Sequence, residues 1–281
     1  MNPIISVITV CYNSEKTIKN TVESVYEQDL TDLEYLIIDG SSKDHTLEIL
    51  DEYVDKFKGK MRIISEPDNG WYDAMNKGVC NSKGDFIVFL NSDDFFDKDA
   101  VKTVVKYIKE NKIDSNYIVY GDSTNIYENS KNEVYYRKIT APEGLRKNDK
   151  RLKDGMCGIR HQSMFVGRQV YERVGLLDLR YRLHADWDFL VKCVNNDIQM
   201  KHIPKNLTFY SMYGVSSRPN YHERHQLRKN NGLYSIVDYK YIKDRWGIKV
   251  LIKRMLGEQR WNDLLFWIHK QRNDGYVEKR L

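Results

Sequence analysis

Short apolar, β-branched runs alternate with amphipathic helical segments over the first ninety residues, and this alternation limits the possible folds more than any other feature. The runs at 4–10, 33–40, 61–66 and 85–91 are predicted strands, and the segments between them are predicted helices. Strands that alternate with helices at this spacing build βαβ units and a mostly parallel sheet. Because such crossovers are right-handed, the carboxyl ends of the strands meet at one edge, where open α/β sheets bind ligands.

The rest of the chain continues this pattern less regularly. The sequence predicts a strand at 116–124, an antiparallel edge strand at 133–139 and a long loop at 140–160. It then predicts a strand followed by a helix at 162–175, a second helix at 186–196 and a last strand at 200–213. We therefore predict an α/β domain over residues 1–215 and a basic, amphipathic helical extension over residues 216–281.

Acidic and amide side chains follow all four early strands, in the segments "CYNSE", "DGSSKD", "EPDNGWYD" and "NSDD". A single polar exit would be unremarkable, because turns favour Asn, Asp, Gly and Ser. Four in succession at the ligand-binding edge indicate a polar site. The fourth exit is the most informative, since the apolar run Phe86–Leu90 leads directly into Asn91, Ser92, Asp93 and Asp94.

The chain contains neither of the glycine-rich phosphate loops, GxGxxG and GxxxxGK[ST]. A phosphate-bearing ligand would need another partner, and a carboxylate repels phosphate directly. Carboxylates can hold phosphate through Mg²⁺ or Mn²⁺, which prefer oxygen ligands and often bind one or two carboxylates together with substrate phosphates. Asp93 and Asp94 are therefore candidate ligands of a divalent cation that carries a diphosphate.

Charge and cysteine usage narrow the function further. The net charge is +5, but residues 240–281 hold 11 Lys and Arg against 5 Asp and Glu, so the remainder is close to neutral and nucleic acid is not the expected ligand. The four cysteines are scattered, which is typical of reduced thiols in the cytoplasm. Neither a leader peptide nor a membrane-spanning run is visible. We expect a cytoplasmic protein.

The C-terminal tail has an amphipathic composition, with Trp246, Trp261 and Trp267 interleaved with Lys and Arg. Such a helix suits the anionic inner face of the plasma membrane, where the protein would be peripheral. It equally suits packing on the α/β domain or on a second copy of the chain in a homo-oligomer. Both interpretations stay open.

The segments "ISVITVCYNSEKTI", "LIIDGSSKDHT", "SEPDNGWYDAMNKGV" and "GDFIVFLNSDD" resemble the successive nucleotide-binding motifs of family 2 glycosyltransferases, which have the GT-A fold. The likeness covers roughly residues 4–97 and continues more weakly through "HQSMFV" and "ADWDF" to about residue 190. The "DAMNKG" variant is most similar to bacterial polysaccharide transferases of the colanic-acid type. The resemblance implies a Rossmann-like, mostly parallel sheet flanked by helices.

The resemblance also implies a nucleotide site at the first three strand ends. Asp39 would accept a hydrogen bond from the nucleotide base, and Val10 and Tyr12 would line the base pocket. The other implied members of the base and ribose pocket are Asp68, Asn69 and Asn76.

At the fourth strand end, "LNSDD" resembles the D-x-D pattern of the family. Asp93 would be the main ligand of Mn²⁺ or Mg²⁺, and Asp94 would bind the cation or support that ligand. Asn91 stands where the family pattern has an acid; it could hydrogen-bond a ribose hydroxyl or a phosphate-bound water. The resemblance also implies that Ser92 contacts the nucleotide-sugar donor.

The family places its catalytic base at the start of a helix, in an acidic pair. Here the matching text is "HADWDF", so Asp186 takes the position of the base, Ala185 replaces the first acid, and Asp188 is the second candidate. The acceptor hydroxyl must lose its proton as it attacks, so a carboxylate must lie within hydrogen-bonding reach. His161, Gln162 and Asp188 are predicted contacts of the acceptor or of phosphate.

Taken together, the resemblance implies an inverting hexosyltransferase of cell-envelope polysaccharide synthesis. The sugar would come from a nucleoside diphosphate sugar, with UDP as the expected nucleotide, and go to a glycan or a lipid-linked glycan. The departures at Asn91 and Ala185 leave an alternative, a nucleotide-sugar-binding regulator or a degenerate subunit without catalysis.

Overall fold

The computed structural model describes residues 3–147, 149–153, 157–212, 221–233, 252–253, 255–271 and 275–279. The chain divides into two compact units, Met1–Ser123 with Thr140–Phe209, and Thr124–Ile139 with Tyr210–Leu281. The second unit thus combines an internal segment with the C-terminal residues. The predicted limit of the α/β domain at residue 215 remains a prediction.

The strands are β1 Ile5–Cys11, β2 Leu33–Asp39, β3 Met61–Ser65, β4 Phe86–Phe89, β5 Phe95–Phe96, β6 Ile118–Glu128, β7 Glu133–Ile139, β8 Met164–Gly167, β9 Met200–Ser211 and β10 Tyr276–Lys279. The described helices are α1 Ile18–Tyr26, α2 Thr46–Val54, α3 Trp71–Asn81, α4 Ala100–Glu110, α5 Lys150–Lys153, α6 Arg168–Val174, α7 Ala185–Asn195, α8 Tyr221–Asn230 and α9 Glu258–Gln271. A 3₁₀ turn covers His161–Ser163.

The four early strands form the predicted parallel sheet in the first unit. β1 lies between β2 and β4 and is parallel to both, and β3 continues the sheet beyond β2, also in parallel. Their carboxyl ends therefore share one edge, as the sequence predicted. Every residue of β1, β2 and β4 is buried, the condition of parallel strands covered on both faces.

β8 runs against this direction and thereby completes the polar edge. It is antiparallel to β4 on one side and to β6 on the other, with Val166 opposite both Ile87 and Ile118. Because β8 is reversed, the residues that precede it, not those that follow it, lie at the carboxyl end of β4. This reversal brings His161 and Gln162 to the strand end that carries Asp93 and Asp94.

The core of the first unit packs the apolar stripes of the helices against the sheet. Val22 and Val25 of α1, Leu50 of α2 and Val104 of α4 are fully buried in one cluster with the β1 and β2 side chains. Their spacing along each helix is the helical periodicity that predicted these elements. The result is a rigid platform beneath the polar edge.

The second unit has a small aromatic core of its own. β7 pairs in antiparallel with β10, and Tyr127, Tyr135 and Phe266 form a buried cluster. His269 of α9 stacks on Tyr127 with ring centroids 4.2 Å apart. The prediction that β7 is an edge strand is wrong, because the sequence pattern gave no sign of the short β10 beside it.

Two other details differ from the sequence prediction. The segment 140–160, predicted as a loop, contains the one-turn helix α5, whose Leu152 is fully buried. β6 extends to Glu128, beyond the predicted end at 124, although the run Asp122–Asn125 in its middle is polar. In both places tertiary burial outweighs local composition.

Candidate active site

Asp39 ends β2 and is completely buried. Its Oδ2 accepts hydrogen bonds from the Ser42 backbone N–H at 3.0 Å and from the Ser65 hydroxyl at 2.6 Å. Its Oδ1 accepts from the Ser42 hydroxyl and from the Cys11 thiol, the latter at 3.6 Å. The carboxylate thus holds together the ends of three neighbouring strands. A contact with the nucleotide base remains a prediction, and it would require one of these donors to give way.

The predicted base pocket surrounds Gly40. A Cβ atom at this position would lie 2.5 Å from Asp68 Oδ2 and 3.4 Å from Tyr12 Cδ2, so a larger residue here would require the Asp68 side chain to move. Tyr12 is 61% exposed, whereas Val10 is buried beneath it in β1. The structure therefore brings Tyr12 and Asp68 together as a pair at the open edge.

Asn69 and Asn76 lie on either side of the start of α3 and differ in their partners. Asn69 is exposed, and its backbone N–H donates to Asp73 at 3.0 Å. The Asn76 amide donates to the Leu177 carbonyl at 2.9 Å and accepts from the Leu177 N–H at 3.0 Å. Asn76 therefore links α3 to the segment at Leu177. Both its amide nitrogen and its amide oxygen have protein partners, with no contact to a nucleotide sugar needed to satisfy them.

Asp94 is the buried member of the acidic pair after β4. Only 1% of its surface is exposed, and its Oδ2 accepts from Gln162 Nε2 at 2.6 Å and from Asn91 Nδ2 at 3.1 Å. Gln162 is itself fully buried. Of the two predicted roles of Asp94, the geometry favours support over direct cation binding. Gln162 supports Asp94 through its Nε2, and its contact with the acceptor or phosphate stays a prediction.

Asp93 is the more accessible of the two acids and is half-buried. Burial raises its pKa above the ordinary value, and the charge of His161 acts in the opposite direction. Beside it, the Ser92 hydroxyl lies 2.9 Å from the Ser14 hydroxyl, which joins this turn to the end of β1.

The fit of these residues to a divalent cation depends on how many protein ligands it needs. No group of three or more His, Cys, Asp or Glu side chains in the described part of the chain is arranged as a metal site. Mg²⁺ and Mn²⁺ bound with a diphosphate need only one or two carboxylates. Asp93 fits this requirement, since a neighbouring cation would stabilise the ionised form of a partly buried carboxylate whose pKa is raised.

Asp186 occupies the first turn of α7 and is held through both of its oxygens. The Tyr72 hydroxyl donates to Oδ1 at 2.9 Å, and His161 Nδ1 lies 3.3 Å from Oδ2. About a third of the Asp186 side chain, 34%, remains exposed. The other ring nitrogen of His161 lies 3.5 Å from Asn91 Oδ1. A continuous polar chain therefore connects the turn after β4 to Asp186.

The electrostatic balance at Asp186 keeps it ionised. Burial acts to raise its pKa, but the hydrogen bond and charge of His161, the charge of His184 and the Tyr72 hydroxyl outweigh burial and hold this pKa at about 2. For Tyr72 the burial and then the charge of Asp186 raise the pKa well above 10, so Tyr72 stays a neutral donor. At neutral pH the site presents a carboxylate that can accept a proton.

Asp188, the second candidate for the base, lies elsewhere. It is 1% exposed and pairs with Lys192 on the same helix at 2.7 Å. Side chains two positions apart on a helix point in different directions. The role of Asp188 as an alternative base stays a prediction.

Sequence reasoning missed the part that Tyr72 plays. It lies beside Trp71 in the segment "GWYDAMNKG", and it is buried. The contact that distinguishes it is with a residue 114 positions away. A local sequence pattern cannot identify a partner so far away in the chain. The general need of a buried tyrosine hydroxyl for a hydrogen-bond partner was the one indication.

Comparison with known proteins shows the family of the chain. The family model described as "Glycosyl transferase family 2" matches residues 6–175. The chain belongs to glycosyl transferase family 2. A PGL/p-HBAD biosynthesis glycosyltransferase of Mycobacterium bovis is 30% identical over 258 residues, which cover 89% of each chain. An uncharacterized glycosyltransferase of Methanocaldococcus jannaschii is 28% identical over 254 residues, covering 87% of this chain and 80% of the other.

Solved structures show the same fold at low identity. TarS 1–349 of S. aureus, in complex with UDP-GlcNAc, superposes with a TM-score of 0.64 at 18% identity, covering 83% of this chain and 66% of TarS. The mannosyltransferase PcManGT of Pyrobaculum calidifontis, in complex with GDP-Man and Mn²⁺, gives 0.53 at 16% identity, covering 74% and 57%. The predicted GT-A architecture is confirmed.

These findings make this family 2 protein a glycosyltransferase, as its sequence predicted, and favour an enzyme over the non-catalytic alternative. Among the helices that the structure describes, none combines the length and the apolar character of a membrane span.

Proposed function

We propose that this glycosyltransferase moves a hexose from a UDP-linked donor to a hydroxyl of a glycan or lipid-linked glycan, with inversion at the anomeric carbon. The observation that carries the proposal is the state of Asp186, an ionised and partly exposed carboxylate with one donor on each oxygen. An inverting transfer is a single displacement, so the enzyme needs one base and no covalent intermediate.

In this mechanism each polar residue of the edge has a separate task. Asp186 accepts the proton of the attacking hydroxyl on the part of its carboxylate that faces outward. Tyr72 and His161 keep that carboxylate oriented. Tyr12 and Asp68 flank Gly40 at the side proposed to receive the nucleotide. Asn91 and Ser92 belong to the same proposed donor surface.

Asp93 would hold the divalent cation, Mn²⁺ or Mg²⁺, and Asp94 would fix the turn from behind. A cation at this position stabilises the negative charge of the departing nucleoside diphosphate. UDP is the proposed nucleotide because one structural neighbour, TarS, was solved both with UDP-GlcNAc and with UDP, although a second neighbour, PcManGT, was solved with GDP-Man.

The proposal is tested by separating donor binding from turnover. UDP with Mn²⁺ should raise the melting temperature of the wild-type protein, since a ligand at 100 times its Kd adds about 2.7 kcal/mol of stability. Asp93→Asn should lose the Mn²⁺-dependent part of this rise. Asp186→Asn should keep it but lower kcat with UDP-sugars by about 10²–10⁴-fold. The exposed Asp51→Asn on α2 serves as a matched control.

Two results would contradict the proposal in different ways. Full turnover by Asp186→Asn would show that Asp186 is not the base. No stabilisation of the wild-type protein by UDP, with Mn²⁺ or Mg²⁺, while GDP stabilises it, would show that the donor nucleotide is wrong.

We further propose a role in cell-envelope polysaccharide synthesis at the cytoplasmic face of the membrane, with the basic tail as the contact to the lipid surface. The four cysteines are free, as in a reducing compartment. Within the described part of the tail, Trp267 is 58% and Met255 is 77% exposed, whereas Phe266 is buried. Trp246 lies outside the described residues. A homo-oligomer would use the same exposed side chains, and sedimentation with and without anionic vesicles separates the two.

A further inference from the structure

Helix α3 is fixed to the sheet by unusually close packing. A Cβ atom at Gly78 would lie 2.5 Å from Ile8 Cγ2 and 3.4 Å from Ile38 Cγ1, so only glycine allows the helix to approach β1 and β2 this closely. Val79 and Met75 are also buried. The helix therefore has little freedom to slide or tilt relative to the strands that end at the donor edge.

The start of α3 is closed by two local hydrogen bonds. The Gly70 N–H donates to Asp68 Oδ1 at 2.8 Å, and the Asn69 N–H donates to Asp73 at 3.0 Å. Gly70 itself has a φ of +111°, a conformation that suits glycine. The proposed donor segment 68–70 and the first turn of the helix thus form one ordered piece.

The same helix also reaches the segment that carries Asp186. Tyr72 and Asn76 are four residues apart and so share a face. Tyr72 donates to Asp186 at 2.9 Å, and Asn76 pairs with both backbone groups of Leu177. Both partners lie more than 100 residues away in the sequence, at the start of α7 and in the segment that leads to it.

We propose that Tyr72 is a positioning residue for the transfer reaction, which aims the Asp186 carboxylate at the acceptor hydroxyl and ties its position to the donor segment through α3. This inference rests on the proposed function, because it takes Asp186 to be the base. Tyr72 is 6% exposed and touches Asp186 through a single hydroxyl group. Its hydroxyl is therefore placed to act on the reaction through Asp186.

The arrangement has a mechanistic consequence. A carboxylate on a helix terminus can rotate about its own side-chain bonds, and a donor on each oxygen removes that freedom before substrate binds. Misplacing a reacting group by about 1 Å can lower a rate by about 10²-fold. Removing one of the two hydrogen bonds to Asp186 should therefore lower kcat. The affinity for the nucleotide sugar should stay unchanged.

The test compares Tyr72→Phe with Tyr53→Phe in the full-length protein. Tyr53 donates to Glu23 at 2.6 Å on the far side of the sheet, so its substitution removes the same kind of bond outside the site. With the UDP-sugar that the wild-type enzyme uses, Tyr72→Phe should lower kcat about tenfold or more. The KM for the donor should stay within about twofold of wild type. Tyr53→Phe should leave both parameters unchanged, and the two variants should melt within a few degrees of each other.

The outcomes separate this inference from the proposed function. If Asp186→Asn is inactive but Tyr72→Phe has wild-type kcat, the positioning role is overturned and the base assignment stands. If Tyr72→Phe raises the donor KM without changing kcat, Tyr72 supports the donor segment and not the base. If Asp186→Asn is fully active, the base assignment fails, and the inference fails with it.

Discussion

Asp39 and Asp186 are both aspartates at the polar edge of the sheet, and both were predicted to contact substrate, yet their surroundings differ. Asp39 is 0% exposed and accepts from four donor groups that lie close in the fold, on the turn after its own strand and on the two flanking strands. Asp186 accepts from one donor on each oxygen, and 34% of its side chain is open.

We propose that the difference corresponds to two roles, holding the structure together and taking part in the reaction. A carboxylate whose oxygens are all engaged and shielded stabilises the segments around it, whereas a carboxylate with open surface can receive a proton. Asp94 belongs with Asp39, since Gln162 and Asn91 surround it, and Asp93 belongs with Asp186. The same residue type, at similar positions after a strand or before a helix, thus serves two purposes.

The largest effect expected from this contrast is on stability. Asp39→Asn puts an amide N–H against protein donors, so we expect the free energy of unfolding to fall by about 2–4 kcal/mol. The matched Asp186→Asn should change it by less than about 1 kcal/mol, because solvent reaches that side chain. Urea unfolding of the two variants measures both. Equal losses would erase the distinction between the two sites.

A smaller effect is expected at Asp94. Gln162→Leu removes the 2.6 Å hydrogen bond that Gln162 donates to the buried carboxylate of Asp94. We therefore expect the free energy of unfolding to fall by about 1–3 kcal/mol. Because Asp94 orients Asn91, which lies next to His161, kcat should also fall. Gln28→Leu is the control, since Gln28 is another buried amide that joins segments far apart in sequence, outside the site. If Gln162→Leu keeps wild-type stability and turnover, Asp94 does not need this support.

The smallest expected effect is a pH dependence. The folded-state pKa of Asp186 is lowered from 3.8 to about 2, so the interactions of its carboxylate stabilise the protein above pH 4 and are lost as the pH falls toward 2. Wild-type protein should therefore lose slightly more stability than Asp186→Asn between pH 7 and pH 3. The difference should be below about 1 kcal/mol because solvent screens the group. A larger loss for the variant would reverse the sign and contradict the charge balance proposed here.

Much of the architecture was predictable because it depends on local periodicity. The four buried strands, the helices between them and the shared edge of their carboxyl ends follow from runs such as "LEYLIID" and from the handedness of crossovers. The family resemblance then identified Asp93, Asp186 and their neighbours as the residues to examine. β10 and the helical turn α5 were missed because their formation depends on partners supplied by other parts of the chain.

The sequence by itself determined which polar residues arrive at the edge of the sheet, because strand direction fixes where each turn must lie. Only the tertiary structure decided which of them are enclosed and which stay open, since that depends on donors far away in the chain: Gln162 for Asp94, and Tyr72 and His161 for Asp186. A hydrogen bond is made between neighbours in space, and a pattern of residue types records neighbours along the chain.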